Sequence, residues 1–571
     1  MKARSIVIAM GMACLLGACI ETREDQNTVP AGHSKLNKVE AQSQKASGPA
    51  TSSDAAVEIR QRHAEDALAR SAAPATVLHY GTAPQASGLP SQTYVGRENY
   101  IAYEHNPVRS VAENPLSTFS VDVDTAGYAN VRRMLVNEGR LPPSSAVRTE
   151  EMINYFSYSY ETPGPDETPF SITTELAPAP WAESRYLMQV GLKGFEQPRA
   201  ERPPSNLVFL IDVSGSMQAP NKLGLVKKSL RVLVRQMEPE DRIALAVYAG
   251  AAGTVLESTP GDQRATILQA IDALQAGGST HGSAGIELAY AIAEQHFIEG
   301  GINRVIIASD GDMNVGTTSI DALKDLVSRQ RDRGIALTTL GFGSGNYNDA
   351  LMEQLADVGN GNAAYIDSLK EAQKVLVNEM QSTLLTIAND VKIQVEFNPA
   401  TVSEYRLIGY ENRLLEREDF SNDKVDAGDI GAGHTVTALY ELTLVGSEAE
   451  RLPTLRYQAD KVAARSSAPD SELAYVKLRY KRPGDASSIE VSQPVLRAAL
   501  TSTLQASSHD LRFAASVAGF SELLKGGEHL ENWQFDDALD LARSARGDDR
   551  LGYRSEFIHL IELAQSLSFK G

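Results

Sequence analysis

Cysteine is almost missing from this chain. Among 571 residues there are two, Cys14 and Cys19, both within the first twenty positions. The body of the protein therefore has no disulfide framework and no thiol nucleophile. A basic excess is missing as well: 54 Lys and Arg stand against 73 Asp and Glu, a formal charge of -19. That balance excludes a nucleic-acid footprint, which needs cationic surface to meet phosphates. It also repels anionic lipid headgroups, so any membrane attachment has to come from an inserted or covalent anchor. The apolar stretch from Ser5 to Leu16 is too short to span a bilayer. No G-x-S-x-G elbow, H-E-x-x-H helix or Walker loop occurs, which removes the commonest hydrolase and nucleotidase readings.

What the N-terminus does have is Lys2 and Arg4 ahead of that short apolar stretch, the pattern of a signal peptide over residues 1–18. Leu16-Gly17-Ala18-Cys19 resembles a bacterial lipobox. That resemblance implies that Cys19 becomes the lipidated first residue of the mature protein, anchored in the cell envelope. Ile20, rather than Asp, follows it, which by analogy with lipoprotein sorting favours the outer membrane in a Gram-negative host. Residues 19–91, rich in Ser, Ala, Gln, Pro and Gly, cannot bury enough surface to offset ordering entropy and are expected to be a disordered tether.

The remaining chain divides by hydrophobic pattern. Residues 94–160 read as a small N-terminal α+β domain. Asp122 and Asp124 invite a calcium reading, but the twelfth position of such a loop is Arg133, so a strand end and helix cap is the better assignment. Residues 170–192 hold two strands. From 206 to 387 continuous apolar runs alternate with amphipathic helices, as in a doubly wound, mostly parallel α/β sheet. Two helical stripes are expected, one through Val226, Leu230, Leu233, Val234 and Met237, the other through Ile286, Ala289, Tyr290, Ala293 and Phe297. Residues 389–491 alternate with period two and need partners for a second sheet face. Strands 170–192 are expected to join them in an antiparallel β-sandwich, with the α/β unit inserted. Residues 492–571 form a C-terminal helical domain, with Tyr553, Phe557, Leu560, Ile561 and Ala564 on one face.

Chemistry concentrates in "LVFLIDVSGSMQ", where a buried strand ends in Asp212 and sets Ser214 and Ser216 at alternate positions. "AGGSTHGSAG" brings Thr280 in a Gly-rich loop ahead of a helix, and "VIIASDGDMN" ends a second buried strand at Asp310. In an open α/β sheet, ligands lie outside the carboxyl ends of the strands, where all three stretches converge. The bland alternative is that the serines cap the following helix and Asp310 caps a turn. His281 reads as a solvent-facing loop residue. Asp312 can stabilise the turn or accept a bond from a bound water. "GFGSGNYND" lacks the Lys of a phosphate loop and reads as a strand-to-helix turn.

Asp212, Ser214, Ser216, Thr280 and Asp310 together resemble the metal-ion-dependent adhesion site of von Willebrand factor type A domains. The lipobox, the "NLVFLIDVSGSM" strand and the "SDGDMNVG" turn extend the resemblance to bacterial YfbK-type lipoproteins over most of the chain. The resemblance implies Mg²⁺, with Mn²⁺ or Ca²⁺ as alternatives, ligated directly by Ser214, Ser216 and Thr280. Asp212 and Asp310 would act largely through water. Neutral hydroxyls leave the ion much of its charge, and hard oxygen donors suit it. Gly215, Gly277 and Gly278 would serve the tight turn and a close backbone approach.

The function these readings predict is not catalytic: a lipid-anchored envelope protein that binds a partner protein's carboxylate through the metal. A passive scaffold with a structural metal is the alternative. A metal-dependent hydrolase is a weaker one, because its only candidate bases are Asp310, Asp312 and His281.

Overall fold

The computed structural model describes residues 98–164, 168–198, 201–278, 282–311, 319–379, 382, 384–453 and 471–569. Residues 1–97, on which the expected signal peptide, the lipidation call at Cys19 and the expected tether fall, lie outside the described residues, as do Thr280, His281 and Asp312. No described helix is long and apolar enough to cross a membrane.

A six-stranded sheet carries the α/β unit. Its order is β10 (Ala363–Ile366), β9 (Ala336–Phe342), β8 (Ile302–Ser309), β5 (Ser205–Asp212), β6 (Arg242–Tyr248) and β7 (Ala252–Pro260). All neighbours pair in parallel except β6 and β7. The run Leu207 to Ile211 is apolar throughout because both faces of β5 are covered. Leu207, Phe209 and Ile211 join one core with the helix Leu223–Val234, while Val208 and Leu210 join another with the helices Gly282–Gln295 and Asp349–Val358. The first expected stripe is buried in full. The second is buried through Ala293, but Phe297 is 44% exposed, because its helix ends at Gln295.

The antiparallel part is a sandwich of two sheets. One has the order β1 (Arg109–Ser110), β12 (Val402–Ile408), β14 (Thr435–Leu444), β4 (Arg185–Gly194), β3 (Phe170–Pro178). The other has β13 (Ile430–Gly431), β11 (Thr386–Phe397), β15 (Glu472–Lys481) and β16 (Ile489–Leu496), with β2 (Leu116–Ser120) also on β11. Val436, Ala438, Tyr440 and Leu442 of β14 point into the shared core with Ile393, Val395 and Phe397 of β11. Strand β4 pairs with β14 along its length, so strands before and after the α/β unit complete one sheet and the unit is inserted between them.

The expectation of a separate domain over 94–160 is corrected. Strand β2 is part of the sandwich, and the helices Ala126–Val136 and Thr149–Asn154 share a core with the C-terminal helices His509–Leu524, Phe535–Ser544 and Tyr553–Ser568. Asp122 and Asp124 do not cap the helix Ala126–Val136, whose N-cap is Thr125 with no side-chain cap bond; both pair with Arg413, at 3.1 and 3.0 Å. On the C-terminal helix face, Phe557, Leu560, Ile561 and Ala564 are fully buried and Tyr553 packs at the margin. The C-terminal region starts later than residue 492, because β16 runs to Leu496.

Candidate functional site

The chain leaves β5 for β6 on one side and, after β7 and two helices, returns to β8 on the other. This reversal opens a crevice beyond the carboxyl ends of β5 and β8, the place where open α/β sheets bind ligands. Asp212 is the last residue of β5 and Asp310 follows the last residue of β8. Both carboxylates are fully buried.

Asp212 is held on two sides. Its Oδ1 accepts the Ser214 backbone N–H at 2.8 Å, and its Oδ2 accepts the hydroxyls of Tyr248 and Ser309, each at 3.3 Å. Burial is the largest influence on this carboxyl and pushes it above the usual carboxylate range; the Ser214 bonds pull it back and the Asp310 charge adds to the rise. The first of these bonds bends the chain after β5 so that Ser214 and Ser216 share a side, with their Oγ atoms 2.9 Å apart. Ser214 is 1% exposed, whereas Ser216 is open to solvent.

Backbone bonds carry the Gly-rich loop to the same place. Gly277 N–H donates to the Val213 carbonyl at 2.7 Å, and Gly215 N–H donates to the Gly278 carbonyl at 3.1 Å. Gly278 has φ +96°, a backbone shape that a side chain would strain. The steric role expected of Gly215 and Gly277 is not required: a Cβ on Gly215 would meet only the Gly278 oxygen at 3.6 Å, and one on Gly277 would meet nothing within 4 Å. Thr280, two residues beyond Gly278, lies outside the described residues.

Two oxygens bound to Mg²⁺ at about 2.1 Å and at right angles stand about 3.0 Å apart, so the spacing of the two serine hydroxyls fits adjacent positions on such an ion. Among the described residues no three His, Cys, Asp or Glu side chains cluster as a metal-binding group. The donors here are instead two hydroxyls backed by two carboxylates, a hard-oxygen set suited to Mg²⁺, Mn²⁺ or Ca²⁺. One cation does sit against the site: the Lys222 ammonium donates to Asp310 Oδ2 at 2.8 Å and to Asn346 Oδ1 at 3.0 Å.

Sequence reasoning missed Tyr248, Ser309, Lys222 and Asn346. Tyr248 and Ser309 carried a usable signal, since each ends a buried strand at the same sheet edge as Asp212. Asn346 lies in "GFGSGNYND", which is indeed a turn from β9 to the helix Asp349–Val358, capped by Asn348.

Three family models match. The von Willebrand factor type A domain covers residues 206–379, the C-terminal region of the uncharacterized protein YfbK covers 382–567, and a von Willebrand factor model covers 94–189. The "Uncharacterized protein YfbK" of Escherichia coli (strain K12) is 49% identical over 479 residues, 83% of this chain and 82% of that protein. Human inter-alpha-trypsin inhibitor heavy chain H3 is 26% identical over 264 residues, 42% of this chain but only 29% of that protein. Among solved structures, the von Willebrand factor type A protein from Catenulispora acidiphila aligns with 16% identity and a TM-score of 0.37, over 68% of this chain and 89% of that one.

Proposed function

Since the chain belongs to the YfbK family and contains a von Willebrand factor type A domain, we propose that it is a lipid-anchored envelope protein that binds a protein partner through a divalent-metal site. Domains of this type suggest a role in protein interaction or adhesion. The finer reading rests on one observation: Asp212, Ser214, Ser216 and Asp310 converge at the topological switch point, with the two hydroxyls 2.9 Å apart.

In this reading Ser214 and Ser216, joined by Thr280, hold the ion directly. Asp212 orients the serine turn through the Ser214 N–H and supplies negative charge from behind. Asp310 supplies the second charge from the neighbouring strand. The bound ion would offer an electrophilic position that a partner's Asp or Glu can complete. In this reading the site binds a partner and performs no catalysis. In the same reading Cys19 is the residue that carries the lipid.

The test is affinity capture from intact cells, with and without chelator, using the wild type and Asp212→Ala. Partners lost under both perturbations are expected. A partner set that ignores both overturns the metal-bridged reading and leaves the passive scaffold.

A further inference from the structure

Asp310 is fully buried next to an ammonium that the fold has gone to some length to place. Lys222 is 7% exposed. Its stem lies across Gly343, which has φ +80° and where any Cβ would come within 2.4 Å of the Lys222 Cγ and Cε. Its Nζ is then fixed between Asp310 Oδ2 and Asn346 Oδ1. A buried carboxylate needs a counter-charge, and the Lys222 ammonium supplies one.

We propose that Lys222 is a tethered competitor of the divalent cation for Asp310, setting the site to load only at high divalent concentration. This rests on the metal-site reading above. An incoming ion has two options: it drives the ammonium off Asp310, or it shares the carboxylate with a positive charge already in contact with it. Both weaken binding relative to a site whose Asp310 had only water and the ion to satisfy it. When the lysine stays, the charged side chains named here sum with the ion to a net positive site, because one ammonium and a divalent cation face two carboxylates. Excess positive charge at the mouth then favours an anionic ligand. Lys222 thus lowers occupancy by the metal while raising the preference of the loaded site for acidic partners.

The probe is Mn²⁺ alone, titrated into the full-length protein and followed by calorimetry and by the electron paramagnetic signal of free Mn²⁺. Wild type is expected to bind Mn²⁺ measurably but more weakly than the variants. Lys222→Met should bind roughly tenfold tighter, the fold-change expected from removing one adjacent charge in partly screened surroundings. Lys222→Gln, which retains a hydrogen-bond donor to Asp310 but no charge, should shift the same way and serves if the Met variant folds poorly. A metal-dependent rise in melting temperature larger in the variants than in wild type is the second readout. Wild-type uptake with unchanged or weaker binding in both variants overturns the competitor role alone. No uptake in any of the three proteins overturns the metal site itself.

Discussion

Arg132, on the helix Ala126–Val136, grips Asp367, just past the end of β10, through two bonds of 2.7 and 2.6 Å. The same guanidinium reaches Glu371 at 2.7 Å and Glu556 of the C-terminal helix at 2.8 Å. One buried side chain thereby ties the end of the α/β unit to the N-terminal helix and to the last helix of the chain. Arg148 and Arg413 do the same for the helix Asp349–Val358, through Asp349 and Asp357 respectively. The inserted unit is thus bound to its host by ion pairs, those of Arg132 with Asp367 and Glu371 and of Arg148 with Asp349 buried, in addition to its two chain connections.

Removing one partner of such a pair leaves charges buried and uncompensated, at a cost of about 3–5 kcal/mol. Arg132→Ala is expected to destabilise by that order and to uncouple the α/β unit from the rest. The chain's two tryptophans, Trp181 and Trp533, lie edge to face with centroids 5.7 Å apart in the core shared with the C-terminal helices. Tryptophan fluorescence therefore reports that core, while circular dichroism reports the whole. Coincident denaturation curves are expected for wild type and separated ones for Arg132→Ala; coincidence in both would refute the coupling role.

Gly519 tests the same core from inside. A Cβ built there would lie 1.9 Å from Trp533 Cζ3 and 2.4 Å from Cη2. Ala gains about 1 kcal/mol of helix propensity over Gly, but overpacking against a rigid ring costs about 1–3 kcal/mol or more. Gly519→Ala should lower the urea midpoint and shift Trp533 emission to the red as the ring is pushed out. A stabilised variant would show that the helix and ring separate without penalty.

Much of this architecture was legible in advance, and what was not has a physical reason. The apolar run ending in Asp212 announced a strand covered on both faces, and unpaired alternation before and after the α/β unit announced that strands 170–192 join the later ones in a sandwich; which strands pair, β4 with β14, was not legible. Periodicity says that a face is buried but not against what, so residues 94–160 read as a separate domain although the partners of their helices lie some 350 residues on. Arg132, Arg148 and Arg413 look like any solvated arginine until their acids arrive from other elements. Lys222 is the sharpest case, since the Asn346 that fixes it is 124 positions away.

His434 gives the protein an acid-sensitive term. Burial, followed by the charges of Lys374 and Lys193, pushes its imidazole down to about 3, and its Nδ1 has no hydrogen-bond partner among the described residues. The unfolded chain takes up this proton near pH 6.5 and the folded one does not until far lower. The associated stability is therefore complete above about pH 6.5 and is lost as pH falls toward 3. At pH 5.5 the loss should be about 1 kcal/mol. Asp429, which burial pushes up to about 7, acts with the opposite sign, losing its contribution as pH rises through that value. Only the difference between wild type and His434→Gln isolates the histidine: the gap in urea midpoint between pH 7.5 and 5.5 should shrink in the variant.

Ser216 separates the metal reading from a purely structural one. Asp212 cannot, because Asp212→Ala would also strip acceptors from the Ser214 N–H, Tyr248 and Ser309, so lost binding could reflect a deformed crevice. Ser216 is exposed, and its hydroxyl contacts Ser214 Oγ. If that contact is merely structural, Ser216→Ala changes stability by no more than about 0.5 kcal/mol and changes nothing else. If the hydroxyl is a metal donor, the same substitution leaves the melting temperature in EDTA untouched but weakens Mn²⁺ uptake by about tenfold or more, the cost of losing one direct oxygen ligand where no neighbour replaces it. The metal reading predicts the second pattern, and a variant that binds Mn²⁺ like wild type removes Ser216 from the ligand set.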